Sequence, residues 1–398
     1  MNKRYLILAF ASHGRGISGG DRIFIELSRQ LSNRLHIDIH TWIEGEKLIR
    51  RQNLEASKDI RLINHSFIGL VENGNFLVNY ILRVLLGVYF GLTYKLCDQV
   101  YIYSASEFWM DVFPSYILKI RYPNKVCWIA TWYQTAPNPL KGFSEGGERE
   151  DNFKVRAFLY WIAQQPSKLL IQWKADKVVV NNTAEIKRFS TFNKKNIFVM
   201  IGAVPLAKID AFISKNKKTK KKYDAVFQGR FHAQKGVLEL IDIWNKVVER
   251  NPSARLAMIG DGPLMERVQE RIEKYNIRDN IRLFGYVNDG DKKFKIFAQS
   301  KIVVHPAYYD SGGMASAEAM AFGIPCVGFD LVSYTSYYPK GMIKVSKGDK
   351  IAFSKKILKL LESQKLRISL GKEARSLIIS SYSWKYRANT FYKFITSK

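Results

Sequence analysis

Short apolar runs recur along the chain, separated by stretches in which apolar residues return every three to four positions. In the first half the runs are YLILAFAS (5–12), LHIDIHTW (35–42), QVYIYS (99–104), KVCWIAT (125–131), ADKVVVNN (175–182) and NIFVMIGAVP (196–205). In the second half they are YDAVFQG (223–229), RLAMIGDGP (255–263), IRLFGYV (281–287), KIVVHP (301–306) and IPCVGF (324–329). Near-continuous apolarity over so few residues is the mark of a strand buried on both faces. Between them, segments such as IFIELSRQL (23–31), FWMDVFPSYILKI (108–120), VLELIDIWNKVVER (237–250) and LMERVQERIEKY (264–275) carry helical spacing. Strand and helix alternating in this way predict an α/β chain with two doubly wound parallel sheets. The first closes at residue 204. Residues 205–222 contain no apolar strand and read as a basic linker, and the second sheet domain runs over 223–383.

Composition narrows the setting. The chain has 398 residues, 47% of them hydrophobic, enough for two cores. Cys97, Cys127 and Cys326 are far apart and form no CxxC, which excludes a disulfide framework or a cysteine zinc site and fits a reducing compartment. The six histidines form no ligand-spaced pair on a helix. The net charge of +28 is spread over both halves, with one dense run, KNKKTKKK, at Lys215–Lys222. Such a balance favours polyanionic partners: nucleotides, anionic lipid headgroups or nucleic acid. The apolar start of the chain leads directly into GRGISGG and reads as a first buried strand rather than a leader peptide. Phe76–Leu96 is interrupted by Asn79, Arg83 and Lys95, so it reads as a core helix or one resting on a membrane surface rather than a span.

Candidate chemistry lies where strands run out. Gly14, Gly16 and Gly19, with Asp38 further on, satisfy a dinucleotide-binding spacing. Gly20 and Asp21 lengthen that loop and no hydride-transfer set follows, so only the close approach of backbone to a phosphate is retained. After Thr131 a Pro/Gly-rich loop, Trp132–Asp151, occupies the carboxyl edge of the sheet, where lids and acceptor contacts sit. In the second half, Arg230 and Lys235 follow the first strand; a guanidinium fork and an ammonium suit a diphosphate. The stretch His305–Phe329 then passes from a strand through Ser311-Gly312-Gly313 into a helix whose free N–H groups favour an anion. Asp310 and Glu318 bracket the turn. Carboxylates repel phosphate but accept hydrogen bonds from sugar and ribose hydroxyls.

Taken together, these residues resemble the retaining GT-B glycosyltransferases of family 4 (glycosyl transferases group 1, the glycogen synthase/mannosyltransferase-like group). The resemblance spans nearly the whole chain. Gly229-Arg230 with Lys235-Gly236, Gly260-Asp261-Gly262-Pro263, Phe284-Gly285-Tyr286-Val287, Asp310 with Glu318, and Ala319–Pro325 stand in the family's order, and Gly19-Gly20 matches its amino-terminal glycine pair. The resemblance implies two Rossmann-like domains facing each other across a cleft: an acceptor-side domain (1–204), onto which a C-terminal helix (384–398) packs back, and a donor-binding domain (223–383). Asp310, Arg230, Lys235 and Tyr133 would be catalytic. Gly19, Gly20, Gly229, Val287, Gly312, Gly313, Met314 and Glu318 would bind the donor, with Glu318 on the ribose and Val287 near the base. Two positions depart from the pattern: Asp310 replaces a Glu, and Tyr133 stands where the family has a His.

The activity so implied is metal-independent transfer, with retention, of a sugar from a UDP- or GDP-linked donor to a glycan or lipid-linked acceptor, with no cofactor. The charge and Phe76–Leu96 place the chain in the cytoplasm, peripheral at an anionic inner membrane face. A catalytically inactive nucleotide-sugar or glycan binder is the alternative raised by Tyr133. A nucleic-acid-binding protein is the alternative raised by charge, although no motif for specific nucleic-acid recognition occurs.

Overall fold

The computed structural model describes residues 4–13, 17–54, 56–65, 76–136, 152–310 and 314–397. The chain divides into two compact units. One comprises residues up to Ala136, Leu159–Gly202 and the stretch from Trp384; the other holds Ala203–Ser383.

In the first unit the order is β1 (Arg4–Ala9), α1 (Gly19–Leu31), β2 (His36–Thr41), α2 (Ile43–Arg51), β3 (Ile60–Asn64), α3 (Phe76–Thr93), β4 (Val100–Ser104), α4 (Trp109–Arg121), β5 (Val126–Trp132), α5 (Asn152–Lys174), β6 (Lys177–Val180) and β7 (Ile197–Val199). The seven strands are all parallel, in the order β3-β2-β1-β4-β5-β6-β7. One sheet face, with Leu6, Leu8, Ile102, Trp128 and Val178, packs on α3, α4 and α5 through Phe90, Met110, Leu118 and Ile171. Helix α3 approaches α4 closely through Gly87 and Gly91; a Cβ on Gly91 would stand 3.0 Å from the Pro114 Cα.

The second unit runs through α6 (Leu206–Lys215), β8 (Tyr223–Gln228), α7 (Val237–Val248), β9 (Leu256–Ile259), α8 (Met265–Lys274), β10 (Ile281–Leu283), α9 (Asp291–Ala298), β11 (Ser300–His305), α10 (Met314–Met320), β12 (Cys326–Phe329), α11 (Val332–Tyr337), β13 (Met342–Val345), α12 (Lys350–Glu362) and α13 (Gln364–Ser381). Its six parallel strands order as β10-β9-β8-β11-β12-β13. Both sheets therefore reverse strand order beside their first strand, the position where α/β folds open a crevice for ligands.

Residues 205–222, read from sequence as a linker, hold α6, whose Ile209 and Phe212 are buried. In the lysine run, Lys221 donates to the carbonyls of Ala298 and Ser300. The last helix, α14 (Trp384–Thr396), belongs to the first unit and packs on α1 there. Lys177 at the start of β6 closes its end by donating to the Phe394 and Ser397 carbonyls at 2.7 and 2.9 Å.

Candidate functional site

The glycine-rich turns of the second unit exist because three strand-end loops interlock. The Gly229 N–H donates to the Ile259 carbonyl (3.0 Å) and the Gly260 N–H to that of Gly285 (2.9 Å). At Gly260, φ is +139° and a Cβ would fall 1.8 Å from the Gly229 oxygen, so no other residue lets β9's end lie against β8's. Gly236, at φ +62°, makes the equivalent approach to the Pro306 carbonyl, where a Cβ would fall at 2.0 Å. The Tyr308 and Tyr309 N–H groups both donate to the Gln234 carbonyl. The loop after β11 is thereby sewn to the turn that carries Lys235.

That stitching sets the position of Asp310. Its Oδ1 lies 3.1 Å from Lys235 Nζ. Its Oδ2 lies 2.8 Å from His305 Nε2 and accepts from the Tyr334 hydroxyl at 3.0 Å. Facing a carboxylate, Nε2 must carry the imidazole proton. Ser333 donates to the Asp310 carbonyl (3.0 Å). The Asp310 side chain is almost wholly buried. Burial, then the adjacent Asp310 charge, drives the Tyr334 phenol well above its ordinary value and keeps it a neutral donor.

Glu318, on α10, is held differently. Its Oε2 lies 2.6 Å from Lys293 Nζ on α9 and 3.4 Å from the Gln228 amide at the end of β8. Lys293 also pairs with Asp289. Burial pulls the Lys293 ammonium down, but Glu318 and Asp289 outweigh it and the net shift is upward, so Lys293 keeps its charge. Val287 is buried, with Tyr286 exposed beside it; Arg230 is exposed and Met314 opens α10. Gly312 and Gly313 lie outside the described residues, as do Gly14, Gly16 and most of the Trp132–Asp151 loop.

The structure thus gathers Gly229, Lys235, Asp310 and Glu318 at one sheet edge. It also adds His305, Tyr334, Lys293 and Gln228, which the sequence reading missed. A signal existed for two of them. His305 is the polar residue that ends an apolar strand, and Lys293 falls on the same face of α9 as Ile296 and Phe297, three and four residues on.

In the first unit Gly19 and Gly20 open α1. Ser18 caps it, its hydroxyl accepting from the Asp21 N–H while the Asp21 carboxylate accepts from the Ser18 N–H, each at 3.1 Å. Ser12 donates to the other Asp21 oxygen at 2.6 Å. A Cβ on Gly20 would stand 3.1 Å from the Tyr133 ring. Tyr133 is buried, with its hydroxyl on that of Tyr103, its N–H on Glu107 (3.3 Å) and its carbonyl accepting from Asn181. Burial and the Tyr103 phenol raise its pKa well above the ordinary range. Asp38 is committed to Arg4 and Arg61 at 2.7 and 2.6 Å. Among the described residues no group of three His, Cys, Asp or Glu side chains is arranged to hold a metal ion.

Comparison with known proteins finds a family match over most of the second unit. Residues 208–377 match the family described as glycosyl transferases group 1. A poly(ribitol-phosphate) alpha-N-acetylglucosaminyltransferase of Staphylococcus aureus is 25% identical over 213 residues, 52% of this chain and 41% of that protein. An uncharacterized glycosyltransferase of Methanocaldococcus jannaschii is 33% identical over 102 residues, 26% of each chain. The chain spans less than half the length of the first curated relatives it matches. Among solved structures, TarM superposes with a TM-score of 0.71 at 15% identity, covering 100% of this chain and 99% of that one. HepE of Anabaena, in complex with UDP and glucose, gives 0.69 at 12% identity with both chains fully covered. Both units of the chain therefore have the Rossmann-like architecture of the GT-B fold.

Proposed function

We propose that the protein is a retaining glycosyltransferase. It would transfer a sugar from a UDP- or GDP-linked donor to a glycan or lipid-linked acceptor, as a peripheral protein at the inner membrane face. The observation that carries the reading is the fixed Asp310 carboxylate, held by Lys235, His305 and Tyr334 at the carboxyl edge of a group 1 domain. HepE, of the same fold, is described in complex with UDP and glucose, and TarM with UDP and alpha-GlcNAc-glycerol.

In this scheme the bond between the anomeric carbon and the donor's β-phosphate breaks. Arg230 and Lys235 offset the charge that develops on the departing diphosphate, which is electrostatic stabilisation by groups already in place. Asp310 accepts from hydroxyls of the donor sugar and Glu318 from those of the ribose, with Val287 against the base. The departing phosphate oxygen takes the proton of the acceptor hydroxyl, which attacks on the same face, so configuration is retained. Backbone N–H groups at Gly312, Gly313 and Met314 would hold the diphosphate. Tyr133 favours the second reading, a binder without transfer, because its phenol is engaged by Tyr103 where the family has a His.

The test is thermal melting against UDP, GDP and their sugar conjugates, repeated with Arg230→Ala and Glu318→Gln, followed by a transfer assay. One nucleotide series should stabilise the wild type, by about 2.7 kcal/mol at a hundredfold excess over Kd, and neither variant should respond. No response to any nucleotide would refute the donor site. A response without transfer to any offered acceptor would favour the binder.

A further inference from the structure

We propose that the outward face of the α3–α4–α5 layer docks on the surface of an anionic lipid bilayer. This extends the membrane-peripheral placement proposed above, but its evidence is independent of the donor site.

Helix α3 turns its inner side to the sheet and its glycines to α4, yet its far side is apolar as well. Val78, Ile81, Leu85, Tyr89 and Leu92 recur every three to four residues and each is about half exposed or more. Helix α5 repeats the pattern with Leu159, Ile162, Leu169 and Trp173. The two are joined in one layer by α4. Trp109 of α4 donates to the Ala163 carbonyl of α5 at 2.6 Å, and the Tyr116 and Trp173 rings lie 5.9 Å apart. Ile120 of α4 is exposed between them in the chain. An apolar face of this extent on a folded unit marks an interaction surface.

Charge identifies the occupant. No Asp or Glu occurs anywhere in α3 or α5, and the one acid of α4, Asp111, is fully buried. The same helices carry Arg121, Lys168 and Lys174, and Lys174 Nζ lies 4.8 Å from the Trp173 ring centroid. Aliphatic residues and a Trp beside cations, without acids, are the composition of helices that lie in a bilayer interface. A second copy of the chain suits the face poorly, since a two-fold contact sets a patch against itself and would oppose cation to cation. Among the described residues no helix is long and apolar enough to cross a membrane, so contact is in the plane of the interface.

The test is vesicle flotation with phosphatidylcholine alone and with phosphatidylcholine containing phosphatidylglycerol. The protein should float with the anionic vesicles and be released by salt. Leu85→Ser with Leu92→Ser, or Leu169→Ser with Trp173→Ser, should abolish flotation while melting temperature and the nucleotide response stay unchanged. Lys168→Gln with Lys174→Gln should weaken it about thirtyfold. These positions are at or near the surface, so folding is preserved; quenching of wild-type tryptophan fluorescence by brominated lipid, reduced in Trp173→Phe, gives a second readout. Absence of flotation, flotation unaffected by the serine variants, or a lipid-free dimer that those variants dissolve would each overturn the proposal. Flotation without a nucleotide response would leave docking intact and remove the catalytic reading instead.

Discussion

The ammonium of Lys293 lies 2.6 Å from a carboxylate oxygen of Glu318, and both side chains are buried. Such a pair is expensive to break from one side, because the remaining charge has lost its solvent and its partner. Lys293→Met is expected to destabilise the protein by about 3–5 kcal/mol, measured by urea unfolding. Combining it with Glu318→Leu should recover much of that loss. A double variant no better than Lys293→Met would show that Lys293 acts through packing alone.

Asp310 gives the prediction closest to chemistry. Asp310→Asn keeps the shape but removes the charge that faces Lys235. Transfer kcat should fall by roughly 10²–10³, while melting still responds to free nucleotide. Loss of nucleotide binding instead would move Asp310 from the sugar to the fold of the site.

Gly236 is a structural test of the same place. Gly236→Ala sets a methyl against the Pro306 carbonyl at a backbone angle that only glycine adopts easily. A loss of about 2 kcal/mol or more is expected. Because this turn presents Lys235 to Asp310, the nucleotide-induced melting shift should shrink with it.

Much of this was legible in the residues. The buried strands β1, β2, β4–β6, β8, β9, β11 and β12 announce themselves as apolar runs, and the loops carrying Arg230, Lys235, Asp310 and Glu318 follow from where those runs end. What escaped has physical reasons. β3 is an edge strand reading IRLIN, broken by an Arg and an Asn, and β13 is an edge strand reading MIKV, broken by a Lys. The pairing of Lys293 with Glu318 spans 25 positions and is set by tertiary packing, and the lysine sits among surface-like neighbours in DKKFK. Asp38, which satisfies a nucleotide-binding spacing, sits inside β2 and faces two arginines.

A pH effect follows from the other end of the first sheet. His40 is buried on β2, with Nδ1 2.8 Å from His65 Nε2, and burial, then His65, push its pKa down to about 3. Unfolded, it titrates near 6.5. As pH falls from about 6.5 towards 3 the unfolded chain takes a proton that the folded chain refuses. Stability should drop by up to about 1.4 kcal/mol per pH unit over that window. His40→Asn should flatten the fall of melting temperature between pH 6.5 and 4.5; an unchanged slope would assign it to other groups.

Lys177 holds the end of α14 against the start of β6, more than two hundred residues earlier in the chain. The consequence concerns the order of synthesis. On the ribosome, strands β1 to β7 emerge long before the helix that completes their unit, whereas Ala203–Ser383 has all of its own segments by the time Ser383 appears. The part of the protein made first is finished last. Until α14 arrives, the surface of α1 that receives it stays uncovered, exposed to the aggregation that incomplete units invite. A chain cut short before Trp384 would leave the second unit's Ala203–Ser383 entire and the first unit unsealed.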